Sequence, residues 1–118
     1  MVAKAPTLVV ISEDPRTSHR ANEAMRIALG VVAGENEVDV VLVGPAVHLL
    51  DADTDDLVDG DDVARYRGSL KKLGVPFRLE PSAIPADPDW NADGHPVIHM
   101  GAGDLPALVA RATRFIVF

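Results

Sequence analysis

Three short runs rich in apolar, mostly β-branched residues constrain the fold of this chain more than any other feature. They are residues 7–11 (Thr-Leu-Val-Val-Ile), 38–43 (Val-Asp-Val-Val-Leu-Val) and 114–118 (Arg-Phe-Ile-Val-Phe). Strands with apolar side chains on both faces are typical of parallel sheets, which helices cover on both sides. The runs therefore predict strands of a parallel sheet, and shorter runs at residues 75–79 and 97–100 predict two more.

Segments with helical spacing of apolar residues separate these strands. The first lies between residue 18 and Gly34, the second over residues 61–73 and the third around residues 105–112. The inner face of the second helix is predicted to carry Val63, Tyr66, Leu70 and Leu73. Strands that alternate with helices predict one domain over residues 1–118: a three-layer α/β/α sandwich with a mostly parallel sheet of about five strands.

Local signals refine this outline. The first helix is capped either by Asp14, followed by Pro15, or by Ser18, and Gly34 is expected to end it in a left-handed conformation. Residues 46–50 read as either a short helix or an apolar loop. Residues 80–96 contain four prolines, which exclude a regular helix. A segment of this length is expected to be a functional flap or a mobile surface excursion.

Composition excludes several classes of protein. The chain has 11 basic and 18 acidic residues and a net charge of −7, which argues against a protein that binds nucleic-acid phosphates or an anionic membrane. It has no cysteine, so disulfides, thiolate metal sites and thiol chemistry are excluded for these 118 residues. No apolar run approaches the roughly 20 residues that span a bilayer, and no signal peptide is recognisable. We therefore expect a cytoplasmic location.

Ligands of open parallel sheets bind beyond the carboxyl ends of the strands. Residues 12–20, 44–50 and 101–104 follow predicted strands in this way. The Gly101-Ala102-Gly103 sequence lacks the third glycine of a dinucleotide-binding turn, because Pro106 stands there, and we expect no cofactor.

Polar side chains in these segments are the candidate ligand-binding residues. The first segment contributes Arg16, Thr17, Ser18 and His19. Backbone N–H groups and a helix dipole beside them favour a small anionic ligand, whereas helix capping and solvation are the alternative role of the same residues.

Three of the four histidines, His19, His48 and His99, lie near predicted strand or helix ends at the same edge. Imidazoles suit proton transfer and metal binding. Their spacing matches no local zinc motif, and the acidic residues 51–62 lack the glycine and the final glutamate of a calcium loop. We expect separate histidines and no metal.

The order of elements and several segments resemble the DsrE/DsrF-like family of small sulfur-relay proteins. The resemblance covers nearly the whole chain and is carried by the opening strand and by residues 15–34, 38–50, 68–75 and 105–112. It implies an α/β sandwich that assembles into homo- or hetero-oligomers. Active members carry sulfur as a persulfide on a cysteine near the segment that matches residues 64–70. Tyr66 takes the usual cysteine position in this comparison, so the chain is expected to lack the family's sulfur-transfer chemistry.

Two functions remain open, besides a partner-dependent module whose pocket a neighbouring subunit would complete. The first is a non-catalytic, oligomeric binding or regulatory protein of DsrE-like fold, associated with sulfur metabolism through its relatives. The second is a small enzyme in which His48, His99 or His19 acts as an acid–base and Arg16 anchors an anionic substrate. In either case, the carboxyl-edge rule and the family position of Tyr66 predict a pocket lined by residues 12–20, residues 44–50 and Tyr66.

The assembly surface is predicted from apolar content. Val47, Leu49 and Leu50 form a compact apolar run just before the acidic segment. They either fold under the second helix or form the contact of a homo-oligomer with the acidic segment as a soluble rim. The resemblance favours the oligomer.

Overall fold

A single five-stranded parallel sheet forms the centre of the structure, a computed structural model that describes residues 6–118. The strands are β1 (Thr7–Ile11), β2 (Val38–Leu42), β3 (Phe77–Leu79), β4 (Val97–His99) and β5 (Arg114–Val117), and the helices are α1 (Arg20–Ala33), α2 (Gly60–Lys72) and α3 (Asp104–Arg111). The strand order is β4-β3-β2-β1-β5, and each neighbouring pair is parallel. The predicted α/β/α sandwich is confirmed.

The strand order distributes the helices over both faces of the sheet. The chain proceeds from β1 to β4 in one direction and then returns to β5, so right-handed crossovers place α3 on the face opposite α1 and α2. The larger core lies on the first face and includes Ile11, Met25 of α1 and Leu70 of α2. The smaller core lies on the second face and is built around Leu8 and Leu108.

The second face is only partly covered, because α3 has 8 residues. Phe115 and Val117 of β5 pair with Leu8 and Val10 of β1 and therefore lie on this face. Their exposed fractions are 52% and 51%. Val109, also exposed, lies on the flank of α3 opposite Arg111, as expected for residues separated by about half a helical turn. We call Val109, Phe115 and Val117 the β5 patch.

The apolar run after β2 does not form the exposed contact surface that the sequence favoured. It belongs to a 3₁₀ helix, Gly44–Leu50, in which Val47, Leu49 and Leu50 are buried. All three join the larger core on the first face of the sheet. The alternative, in which the run folds inward, is correct. The 3₁₀ helix directs these side chains into the larger core rather than toward solvent.

The segment between β3 and β4 is tied to the 3₁₀ helix. The indole Nε1 of Trp90 donates to the carbonyl of Val47 at 2.9 Å, and the backbone N–H of Asn91 donates to the carbonyl of Leu50 at 2.8 Å. The buried guanidinium of Arg67 in α2 donates to the Asp93 carboxylate at 2.9 Å. These contacts hold the second half of the segment against the body of the protein.

Two of the expected end signals of α1, Asp14 and Gly34, do not act as predicted. The helix begins at Arg20, and Asp14 instead heads a turn whose carbonyl accepts from the N–H groups of Thr17 and Ser18. Gly34 has a φ of −82°, and the left-handed residue is Glu35, with a φ of 62°. The helix therefore starts well after Asp14, and the left-handed residue comes one position after Gly34.

Candidate functional site

His48 and Asp51 form a side-chain pair beyond the carboxyl end of β2. They stand three residues apart, at the end of the 3₁₀ helix. Because this helix has about three residues per turn, their side chains project from the same side of it. Nδ1 of His48 lies 3.0 and 3.1 Å from the two carboxylate oxygens of Asp51. With its proton on Nδ1, the neutral ring keeps Nε2 as a proton acceptor. The pair therefore has the chemistry of an oriented general base.

A second pair, Arg16 and Asp14, lies beyond the carboxyl end of β1. Arg16 donates through Nε at 3.0 Å and through Nη2 at 2.9 Å to the two oxygens of Asp14. The hydrogen bond from the guanidinium is the largest influence that lowers the pKa of Asp14, and a smaller one is the charge of His48. The charge of Asp51 in turn helps to raise the pKa of Arg16. The two pairs are thus electrostatic neighbours.

This arrangement limits what Arg16 can do as an anion anchor. Its planar donor face is occupied by Asp14, so a ligand carboxylate or phosphate would compete with an intramolecular bidentate pair. Arg16, Asp14 and Asp51 together carry a charge of −1 when His48 is neutral. The cluster attracts a hydrogen-bonding or cationic group more readily than an anion.

The remaining candidates of the first segment have local roles. The Oγ of Ser18 accepts the backbone N–H of Arg20 at 3.1 Å, which is a capping contact. The hydroxyl of Thr17 donates to the Asp14 carbonyl at 3.4 Å. His19 is exposed at the start of α1, where its charge acts on Glu23. These contacts match the capping alternative.

His99 and Tyr66 stand on β4 and α2, outside the two segments that carry the other candidates. His99 ends β4, which is two strands from β2 and hence about 10 Å away at the backbone. Tyr66 lies halfway along α2, partly buried against the larger core, and its neighbours include Arg26 of α1 and the guanidinium of Arg65 at 5.2 Å. Over residues 6–118, no three histidine or acidic side chains cluster as metal ligands would.

A small crevice at the same edge was not foreseen from the sequence. The segment after β3 runs along the first face of the sheet, and the segment after β4 runs along the second face. The two segments therefore diverge at this point. Such a divergence is where ligands of open α/β sheets bind. The crevice has a volume of about 90 Å³, and its lining comprises Leu42, Val43, Gly44, Glu80, Ala83, Met100 and Leu105. The signal available in the sequence was Glu80, an acidic residue directly after a strand.

His95 is a buried titratable group that the sequence did not single out. Its ring stacks on Phe77 with centroids 4.0 Å apart, and its Nε2 lies 2.9 Å from the carbonyl of Val75. Its Nδ1 is buried and has no hydrogen-bond partner among residues 6–118. Burial is the main cause that lowers the pKa of His95, and the hydrogen bond to Val75 opposes it. The folded protein therefore favours the neutral ring.

This burial predicts a loss of stability in mild acid. Unfolding restores the ordinary pKa of 6.5, so below that pH the unfolded chain binds a proton that the folded chain does not. The free energy of unfolding should be unaffected by His95 above pH 6.5. It should then fall by up to about 1.4 kcal/mol per pH unit until the lowered pKa is reached. Urea unfolding of the wild type and His95→Gln between pH 7.5 and 5 measures this effect, and equal slopes for the two proteins would contradict it.

Comparison with solved structures assigns the architecture. The YchN protein of E. coli superposes with a TM-score of 0.72 over 96% of this chain and 99% of that chain. The fold is DsrE-like. Sequence identity is 16%, so the likeness concerns the fold alone. No family model and no curated protein matches the sequence.

The superposition extends over nearly the whole chain, which agrees with the extent of the resemblance seen in the sequence. Within residues 6–118, none of the helices has the length and apolar character that crossing a bilayer requires.

Proposed function

We propose that the protein is a non-catalytic binding or regulatory subunit of DsrE-like fold that works as a homo-oligomer. The observation that carries the proposal is the β5 patch, an apolar surface on the thinly covered second face of the sheet. The lack of cysteine supports the non-catalytic part, because no other side chain forms a persulfide.

The β5 patch has the features of a contact surface. It lies on an edge strand, whose outer backbone groups are free to pair with another chain. Phe115 is an aromatic residue with half of its surface exposed, and aromatic residues are enriched at the centres of protein interfaces. Val117 stands two residues further along the same face of β5, and Val109 is a further exposed apolar residue on α3. A second copy that covers this patch would remove from water the largest apolar side chains that β5 leaves exposed.

Sedimentation of the wild type and of Phe115→Ser tests the assembly. We expect the wild type at micromolar concentration to sediment as a species larger than the 12.5 kDa chain, more completely at moderate salt, because salt screens the repulsion between copies of charge −7. Phe115→Ser should shift the population toward the monomer.

Leu73→Ser is the matched control for this experiment. Leu73 is also 52% exposed, but it caps the far end of α2, on the other face of the sheet. The Leu73→Ser variant should sediment as the wild type does. A wild-type monomer at both salt concentrations would refute the oligomer and favour the second candidate, an acid–base enzyme in which His48, oriented by Asp51, removes a proton from its substrate.

A further inference from the structure

A groove on the second face of the sheet lies between α3 and the strands β3 and β4. Its volume is about 280 Å³, and it is lined by Arg78, Ile98, Met100, Asp104, Ala107, Leu108 and Arg111. It borders the flank of α3 that carries Arg111, whereas Val109 of the β5 patch lies on the other flank of this helix. We call it the arginine groove.

Two guanidinium groups at one end of the arginine groove share a single carboxylate. Arg111 donates from Nη2 to Asp39 at 2.8 Å, and Nη2 of Arg78 forms an ion pair with the other oxygen of Asp39 at 3.4 Å. Asp39 is 12% exposed, whereas the side chains of Arg78 and Arg111 are 26% and 57% exposed. The three groups carry an excess of one positive charge, in a chain whose net charge is −7.

The two arginines retain most of their hydrogen-bonding capacity. Each guanidinium has five N–H donors. Among residues 6–118, Asp39 is the acidic partner of both arginines. Arg111 donates one short hydrogen bond to it, and Arg78 forms only the longer ion pair. Several donors on two neighbouring planes therefore remain for a ligand, and planar guanidinium groups match the geometry of a carboxylate.

The rest of the arginine groove is mainly apolar. Ile98, Met100 and Leu108 form its walls, and Ile98 is 37% exposed. Asp104 lies at the opposite end, about 10 Å from Arg111 along α3, and its carboxylate accepts the backbone N–H of Gly101 at 2.8 Å. An anionic head group is therefore favoured at the arginine end and opposed at the Asp104 end.

We propose that the arginine groove binds a small organic monocarboxylate, with its carboxylate on Arg78 and Arg111 and its apolar chain against Ile98, Met100 and Leu108. A monoanion neutralises the single excess charge at the arginine end, whereas a dianion such as phosphate would leave the site with a net negative charge in a chain of charge −7. Apolar walls beside the arginines give an alkyl chain a surface to cover, which an inorganic anion lacks.

The test uses hexanoate as the probe, with hexanol and inorganic phosphate for comparison, in titrations followed by amide and methyl NMR signals. Hexanoate should shift the signals of Ile98, Gly101 and Leu108 in a saturable manner. Hexanol and phosphate should each bind at least tenfold more weakly. Equal binding of hexanol would refute the role of the arginines, and equal binding of phosphate would refute the role of the apolar walls.

Substitutions locate the binding. Arg111→Gln, at an exposed position in the last turn of α3, and Arg78→Gln should each weaken hexanoate binding about tenfold or more. Arg65→Gln is the matched control, because Arg65 is an exposed helical arginine paired with Asp62 on α2. Hexanoate affinity unchanged in both folded groove variants, or reduced equally in Arg65→Gln, would overturn the proposal. Sedimentation tests the β5 patch and the hexanoate titration tests the arginine groove, so a negative result in one experiment does not refute the other proposal.

Discussion

Replacement of Arg67 by methionine should lower the free energy of unfolding by about 3 kcal/mol. The Arg67 side chain is buried, and its Nη1 donates to the carbonyls of Leu49 and Asp51 at 2.7 and 2.8 Å. Its Nη2 donates to the carboxylate of Asp93 at 2.9 Å. Methionine fills similar space but leaves the two carbonyls without their donor. Asp93 is 65% exposed and regains water, so the unpaired carbonyls account for most of the expected loss.

Urea unfolding followed by circular dichroism measures this loss. Arg65→Met is the matched control on the same helix, because Arg65 is 67% exposed and contacts Asp62 within its own helix. We expect a change within about 0.5 kcal/mol for the control. Arg67→Lys should fall between the two, since a single ammonium group cannot reach both carbonyls and Asp93 with the geometry of a fork. Equal stability of Arg67→Met and Arg65→Met would show that the three hydrogen bonds do not hold the two segments together.

Arg67 also shows where helical periodicity reaches its limit. The sequence placed Val63, Tyr66, Leu70 and Leu73 inward, but Leu73 is 52% exposed and Arg67 is buried. The inner stripe of α2 therefore runs through Val63, Arg67 and Leu70. Periodicity over apolar residues skips an arginine, and nothing local reveals that this arginine reaches carbonyls 16 and 18 residues away.

Strand and helix positions were largely predictable because their signals are local. The five strands and three helices start and end within two residues of the predicted bounds, with Ser18 and not Asp14 at the start of α1. The position of a strand within the sheet is not local. The run at β5 is as apolar as the run at β1, yet β5 lies at an edge and β1 lies between two neighbours. That difference decides why Leu8 is buried and its partner Phe115 is half exposed.

The candidate site was predicted in part for the same reason. His48 could be placed at the carboxyl edge because it follows a strand, and its pairing with Asp51 depends on a 3₁₀ helix that was one of two options. Arg16 was proposed as an anion anchor, and its partner Asp14 stands only two residues away. The crevice beside Glu80 and the arginine groove depend on which strands are neighbours, and single-chain periodicity does not contain that information.

The second large effect is expected at Phe77, where alanine should lower the free energy of unfolding by about 4 kcal/mol. Phe77 is fully buried, and its strand pairs it with Val40 on one side and Val97 on the other. The substitution removes an aromatic ring from the larger core and opens a cavity between the sheet and His95. The exposed-site control is Leu73→Ala, which should cost about 0.5 kcal/mol or less.

A coupled result distinguishes this cavity from a general loss of packing. The ring of Phe77 covers one face of His95, and burial is the main cause that lowers the pKa of this histidine. Water that enters the space left by Phe77→Ala should restore part of the ordinary pKa, so the loss of stability between pH 6.5 and 5 should be smaller than in the wild type. Phe77→Leu, which keeps a branched apolar side chain, should lose less stability at pH 7.5 and keep more of the acid dependence. If Phe77→Ala lost stability with the full wild-type acid dependence, the stacked ring would not be what keeps water from His95.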